Sequence, residues 1–230
     1  MSTSEPATNN NVIDFFTGQP YASSKTYRFI RLAPELDGLE MLYTNDAHKQ
    51  KLFSVKILCW GLREDGEVVG MIPWLDRLTP CPEIKDPLNG EWEGYYDPGS
   101  EEIFHEAPIH KSLELETAVD YYDYACEHET DVIQEIPDVI GTHAVFSGDK
   151  FETLVLKSVI SWRLLHGGQI LGLVADDDKV IDTPVLPGDA ALYATEPHPE
   201  FHYYFQHNIA NKIKAGDPEA LAAISALAKR

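Results

Sequence analysis

The stretch KFETLVLKSVISWRLLHG, residues 150–167, decides the fold, because its pattern fits a helix and a strand equally. Asp149 and Glu152 make a capping-box pattern ahead of it, and Gly167 suits the position just past a helix C-terminus. Against this, Leu154, Leu156, Ile160, Trp162 and Leu164 share one face of an alternating strand. Thirteen extended residues would be a long strand, so residues 150–166 are read as helix.

Working outward, the C-terminal side extends that reading. QILGLVA (169–175) and KVIDTPV (179–185) flank Asp176-Asp177-Asp178 and should pair as a hairpin, with Pro187-Gly188 making the next turn. Pro199 suits the first turn of a helix to about Lys214, burying Phe201, Tyr204, Phe205, Ile209 and Ile213. Gly216 breaks it. Asp217 and Pro218 then open a last helix whose Leu221, Ile224 and Leu227 face inward.

The N-terminal side reads differently. Residues 1–24 are a polar tail with one apolar patch, Val12 to Phe16. YRFIRLA (27–33) alternates, LEMLY (39–43) is short, and LFSVKILCWGL (52–62) is a longer buried run. Asp65-Gly66 between apolar segments signals a hairpin. From Thr79 to His110, Pro80, Pro82, Pro87, Pro98 and Pro108 punctuate a long loop, loosened by Gly90, Gly94 and Gly99. Trp92, Tyr95, Tyr96 and Phe104 argue that this loop is ordered, since disordered linkers are poor in aromatics. In 113–128, Leu115, Ala118, Val119, Tyr122 and Cys126 recur at helical spacing, and VIQEI (132–136) is a strand stopped by Pro137.

The expected class is therefore α+β: a β-rich N-terminal half, a long ordered Pro/Gly-rich loop and a helical C-terminal end. Three regions follow: the tail 1–24; a β-rich region 25–138 with the loop (79–110) and an acidic helix (113–128); and an α/β region 139–230 ending in two helices. The last two can also form one continuous domain. No internal repeat is visible.

Composition narrows the function classes. A chain of 230 residues can bury roughly 70–75% of its unfolded surface, so it folds without metal or disulfide. Cys59, Cys81 and Cys126 are odd in number and have no close pair, which suits a reducing cytoplasm. The N-terminus, MSTSEPATNN, has neither the basic start nor the apolar run of a secretory signal, and no stretch is long enough to cross a membrane as a helix. The expected compartment is the cytoplasm.

Net charge is −20, and its distribution is lopsided. From Asp86 to Asp138, 16 acidic residues accompany one basic residue, Lys111, a net of −15. Residues 25–77 balance, and 139–230 carry only −3. Direct binding to nucleic acid or to anionic membrane is disfavoured, because both rest on lysine and arginine meeting phosphate.

No known catalytic motif is present. The phosphate-cradling loop, the dinucleotide glycine pattern and the serine nucleophile elbow are all missing. HEAPIH (105–110) fails as a zinc-protease motif, since its second histidine is one residue late and Pro108 breaks the helix. ADDDKV (175–180) lacks the glycine and the terminal glutamate of a calcium loop and reads as a solvated hairpin tip. In HPEFHYYFQH (198–207), His198 and His202 lie four apart and could share a metal on a helix, with Asp189 as a third ligand. A half-exposed helix flank beside an aromatic stripe explains the same residues and is preferred; no cofactor is expected. Cys59 reads as an inert buried thiol.

LELETAVDYYDYACEHETD (113–131) holds seven carboxylates and three tyrosines. On a helix, Glu116, Asp120, Asp123 and Glu127 form one stripe opposite Leu115, Val119 and Tyr122. A solvated face in an acidic protein would explain it, but a net charge of roughly 2–8 already suffices for solubility. A two-metal site is discounted, because position 125, three before His128, is alanine rather than glutamate. The reading preferred is a cytoplasmic binding or regulatory protein whose segment 86–138 docks a basic protein or a nucleic-acid-binding protein, in the manner of DNA phosphates. Glu116, Asp120, Asp123 and Glu127 would steer it, and Trp92, Tyr95, Tyr96 and Tyr124 would anchor it. Two alternatives are a metal-dependent hydrolase using His198, His202 and a carboxylate, and a small-molecule-binding domain with its pocket between the long loop and the sheet.

Overall fold

The computed structural model describes residues 27–45, 51–86, 90–117, 126–148, 154–175 and 192–206. Among them are fifteen strands and a single α-helix. The expected α+β class is therefore corrected to a sheet-dominated one.

The decisive stretch is extended. β12 (Leu154–Leu165) is a twelve-residue strand, not a helix. Its length has a physical reason. β10 (Val132–Pro137) and β11 (Thr142–Ser147) share its edges with β13 (Ile170–Ala175), so three shorter strands supply its ladder partners. β11 pairs with 154–158, while β10 and β13 pair with the second half. Ladder partners outweigh a local capping signal, and Asp149 and Glu152 lie outside the described residues. A register shift between Val159 and Ser161 also changes parity. Before it, Leu154, Leu156 and Ile160 are exposed; after it, Trp162 and Leu164 are fully buried.

The C-terminal helix from Pro199 is likewise replaced by strand. β15 (Phe201–Gln206) pairs antiparallel with β11, and Phe201 and Tyr204 pack on the core through their rings. Aromatic residues suit a pleated surface, and β11 offered a free edge. Residues 207–230, with the last expected helix, lie outside the described residues, as does the expected hairpin partner 179–185.

Three sheets make the body. The first runs β1 (Phe29–Pro34), β4 (Cys59–Arg63), β5 (Val68–Trp74) and β6 (Arg77–Pro80). The second runs β14 (Leu192–Ala194), β13, β12, β11, β15, with β10 also on β12. The third runs β3 (Phe53–Lys56), β2 (Glu40–Thr44), β8 (Gly90–Asp97), β7 (Lys85–Asp86), with β9 (Glu102–Phe104) on β8. The first sheet is the middle layer, and its alternation shows this. Leu32, Cys59 and Met71 enter one core with Trp162, Leu164 and Val174 of the second sheet. Their neighbours Ala33, Trp60 and Ile72 enter another with Met41, Val55 and Tyr95 of the third. Burial on both faces is why ILCWGL and VVGMIPW read as continuous apolar runs rather than as alternating ones.

The expected long loop is mostly strand as well. β8 alone occupies eight residues of it, and its glycines serve close approach rather than looseness. At Gly94 (φ +147°), a Cβ would sit 3.0 Å from Ile103 and 3.2 Å from the Phe104 carbonyl oxygen of β9. The acidic helix starts earlier than expected: its described part, α1, spans Ile109–Thr117. Residues 118–125 lie outside the described residues, and at 127–128 the chain is in a turn whose N–H groups donate to Asp131 Oδ2. The stripe from Glu116 to Glu127 is thus not carried on one helix.

Candidate functional site

α1 is short and acidic, and three contacts hold it. Leu115 is fully buried in the core against the third sheet. Arg31 of β1 donates from Nη1 to the carbonyls of Leu115 (2.7 Å) and Glu116 (3.3 Å), near the end of the described helix. Lys111, the single cation of the acidic segment, is 1% exposed. Its ammonium lies 3.3 Å from Glu35, 2.7 Å from Asp37 and 3.5 Å from Glu114. Glu35, also buried, accepts from the Trp60 indole and from the backbone N–H groups of Asp37 and Leu39. Burial alone pushes the Lys111 pKa down, but the Asp37 hydrogen bond and the surrounding carboxylates leave it raised. Asp37 is held below the usual carboxylate range by its hydrogen bonds from Lys111 and then His110.

Asp37, His110 and Glu114 are also the group of metal-ligand type that the described residues bring within 4.8 Å. Lys111 already stands among these carboxylates as their counter-ion, and an ammonium there opposes a second cation.

Around this helix six further glutamates have no ion-pair partner among the described residues. Glu101, Glu102, Glu106, Glu116, Glu127 and Glu129 are exposed. Among the described residues, the ion pairs of arginine and lysine go elsewhere: Arg28 to Glu64, Arg63 to Glu67 and Glu83, Arg163 to Glu135. Two of the elements near these acids, α1 and β10, pack against β1, whereas β9 pairs with β8 in the third sheet. Arg31 ties the end of α1 to β1, and Gln134 of β10 bonds both the N–H and the carbonyl of Leu32, each at 2.7 Å. Residues 126–131 lead directly into β10.

The expected anchors are placed otherwise. Tyr95 is 1% exposed, its ring against Trp60 and its hydroxyl accepting from Gly70 N–H at 2.9 Å. Trp92 is half-buried beside Tyr95 and His105. Tyr96 is half-buried and Glu116 and Glu127 are exposed, while Asp120, Asp123 and Tyr124 lie outside the described residues.

The two histidines do not share a helix face, because the helix is absent. His198 precedes β15, its Nδ1 accepting from Glu200 N–H at 3.3 Å and its ring edge-on to Phe146. His202 is on β15, with Nε2 2.6 Å from Ser147 Oγ. Asp189 lies outside the described residues.

His202 instead borders a cavity of about 630 Å³ where turns of the first and second sheets meet. Phe29, Leu78, Ile170 and Phe201 line it with apolar side chains, and Asp76, Arg77, Gln169, Glu196 and His202 with polar ones. Glu196 is bonded into its wall. It accepts from Gly172 N–H (3.2 and 3.1 Å), from Thr195 Oγ1 (2.8 Å) and from the Tyr204 hydroxyl. Burial raises its pKa, and these hydrogen bonds only partly offset that. Nothing in the sequence around Glu196 marked it. Lys111 was marked, as the one cation among sixteen acids.

No protein-family model, curated protein or solved structure matches the chain.

Proposed function

We propose that the protein is a binding protein whose acidic flank, around α1, docks a lysine- and arginine-rich surface of another protein. The observation that carries this reading is the set of six exposed glutamates on β9 and its flanking connections, on α1 and in the turn into β10, none paired with a cation among the described residues. Like charges kept together repel, so the arrangement opposes folding slightly and favours a partner that neutralises it. With Tyr95 in the core, carboxylates rather than aromatic anchors carry the contact. Such a surface speeds association through long-range attraction, and salt weakens it.

Charge reversal tests this. Glu116→Lys with Glu127→Lys changes two exposed side chains that make no side-chain bond among the described residues. Wild-type protein should capture basic proteins from a lysate at low ionic strength and release them at high ionic strength. The double variant should capture none while melting at the same temperature. Equal capture by both, or captured proteins without basic surfaces, would overturn the reading.

A further inference from the structure

We propose that the cavity between the first two sheets binds a small organic cation, an amine on an aromatic or branched apolar body, with Glu196 as its counter-charge. The cavity is a half-open one in which apolar side chains (Phe29, Leu78, Ile170, Phe201) and polar groups (Gln169, Glu196, His202) stand side by side, so it can offer an amine both ring contact and a carboxylate. Phe29 and Phe201 are half-buried, so their rings can cover an apolar body while packing on the core behind.

The charge of the ligand follows from Glu196. Its carboxylate is largely taken out of water, yet its partners Gly172, Thr195 and Tyr204 are all neutral. A desolvated carboxylate without a counter-ion is costly, and burial accordingly biases Glu196 toward its protonated form. Arg77, the guanidinium on the rim, is turned onto Asp76 at 3.1 Å. An incoming ammonium would supply the missing charge, and the net charge of −20 concentrates cations and repels anions. A metal ion fits less well. No three ligand atoms converge at this cavity among the described residues, and His202 Nε2 already faces Ser147.

The turn at the rim is also held in an uncommon conformation. Leu75, between β5 and β6, has φ +57°, rare for a leucine, and its carbonyl accepts from Tyr204 N–H at 2.7 Å. That bond fixes Asp76 and Arg77 relative to the wall that holds Glu196.

The test uses 2-phenylethylamine, the isosteric neutral 2-phenylethanol and anionic phenylacetate, followed by backbone amide NMR shifts at Gly172 and Gln169. The amine should give saturable shifts at both amides, the alcohol should bind about tenfold or more weakly, and the acid should not bind. A tenfold gap is what one charge-assisted hydrogen bond supplies. Glu196→Gln should bring amine and alcohol to equal affinity. No saturable shift with the amine, equal binding of amine and alcohol to wild-type protein, or an undiminished preference in Glu196→Gln would each overturn the proposal. The wild-type comparison decides it even where the variant does not fold.

Discussion

Replacing Lys111 by methionine keeps the length of the side chain and removes its charge. Glu35 would then be a carboxylate at 5% exposure with no counter-ion, since Lys111 is its ion-pair partner among the described residues. Removing one member of a buried pair costs about 3–5 kcal/mol. Glu35 keeps hydrogen bonds from Trp60 Nε1 (2.5 Å) and from the N–H groups of Asp37 (2.5 Å) and Leu39 (3.3 Å), which places the expected cost near the lower bound, about 3 kcal/mol. Glu35→Gln alone should cost less, about 1–2 kcal/mol, because Lys111 retains Asp37 and Glu114. In the double variant no buried charge is stranded, so its loss should fall short of the sum by about 1–2 kcal/mol. Urea denaturation of the four proteins at neutral pH measures all three quantities. Asp37 adds a check. Its pKa is depressed in the folded state, so its contribution is present above the unfolded value and is lost as pH falls through the folded one, below about pH 4. Lys111→Met should flatten that acid limb. A loss under about 1 kcal/mol, or strict additivity, would show that Glu35 and Lys111 do not depend on each other, and the account of how α1 is held would be wrong.

Two further outcomes follow from the cavity rim. Gly168 (φ +86°) lies in the β12–β13 turn, where a Cβ would come 2.5 Å from Arg28 Cβ, whereas Gly38 (φ +84°) has nothing within 4 Å. Both alanine variants suffer the left-handed penalty of about 1–2 kcal/mol, but only Gly168→Ala adds the clash, so denaturation should find it at least about 1 kcal/mol the worse; equal losses would refute the close packing of that turn on β1. Glu196 has a raised folded-state pKa, so its contribution is full below the unfolded value and is lost as pH rises through the folded one. Wild-type stability should therefore decline from about pH 4.5 upward relative to Glu196→Gln, and parallel pH profiles would mean that the carboxyl is not desolvated.

β1, β2, β4 and β5 were legible because their signals are local, whereas β7, β8 and β9 of the third sheet were hidden in what read as a loop. Asp65-Gly66 lies in the turn joining β4 and β5, and the unbroken apolar runs correspond to a sheet buried on both faces. β12 was not legible, for a reason outside its own sequence. The length limit that argued for helix assumes one partner strand per edge, whereas β10 and β11 divide the work, separated by a bend at Asp138. Asp138 Oδ1 accepts from the N–H groups of Ile140, Gly141 and Thr142, and Oδ2 from the Trp162 indole, so one carboxylate joins the two halves to the strand they share. Neither Asp138 nor Trp162 announces that partnership, because they are 24 positions apart.

The same distinction governs the candidate sites. Net charge adds up along any stretch whatever its conformation, so the acidic surplus of 86–138 survived even though Glu127, expected on the same helix as Glu116, lies in a turn. Which aromatics face outward depends on register, and the β2–β8 pairing turns Tyr95 inward opposite Met41. The cavity depends on four separate stretches of chain meeting, so no window of sequence contains it. Lys111 joins the two cases. A lone cation among sixteen acids stands out by composition, but only the fold shows that it is the counter-ion of Glu35, 76 positions earlier and buried. Lys111 is thereby withdrawn from the surface, and among the described residues the exposed glutamates have no cation of their own; the proposed basic partner would supply one.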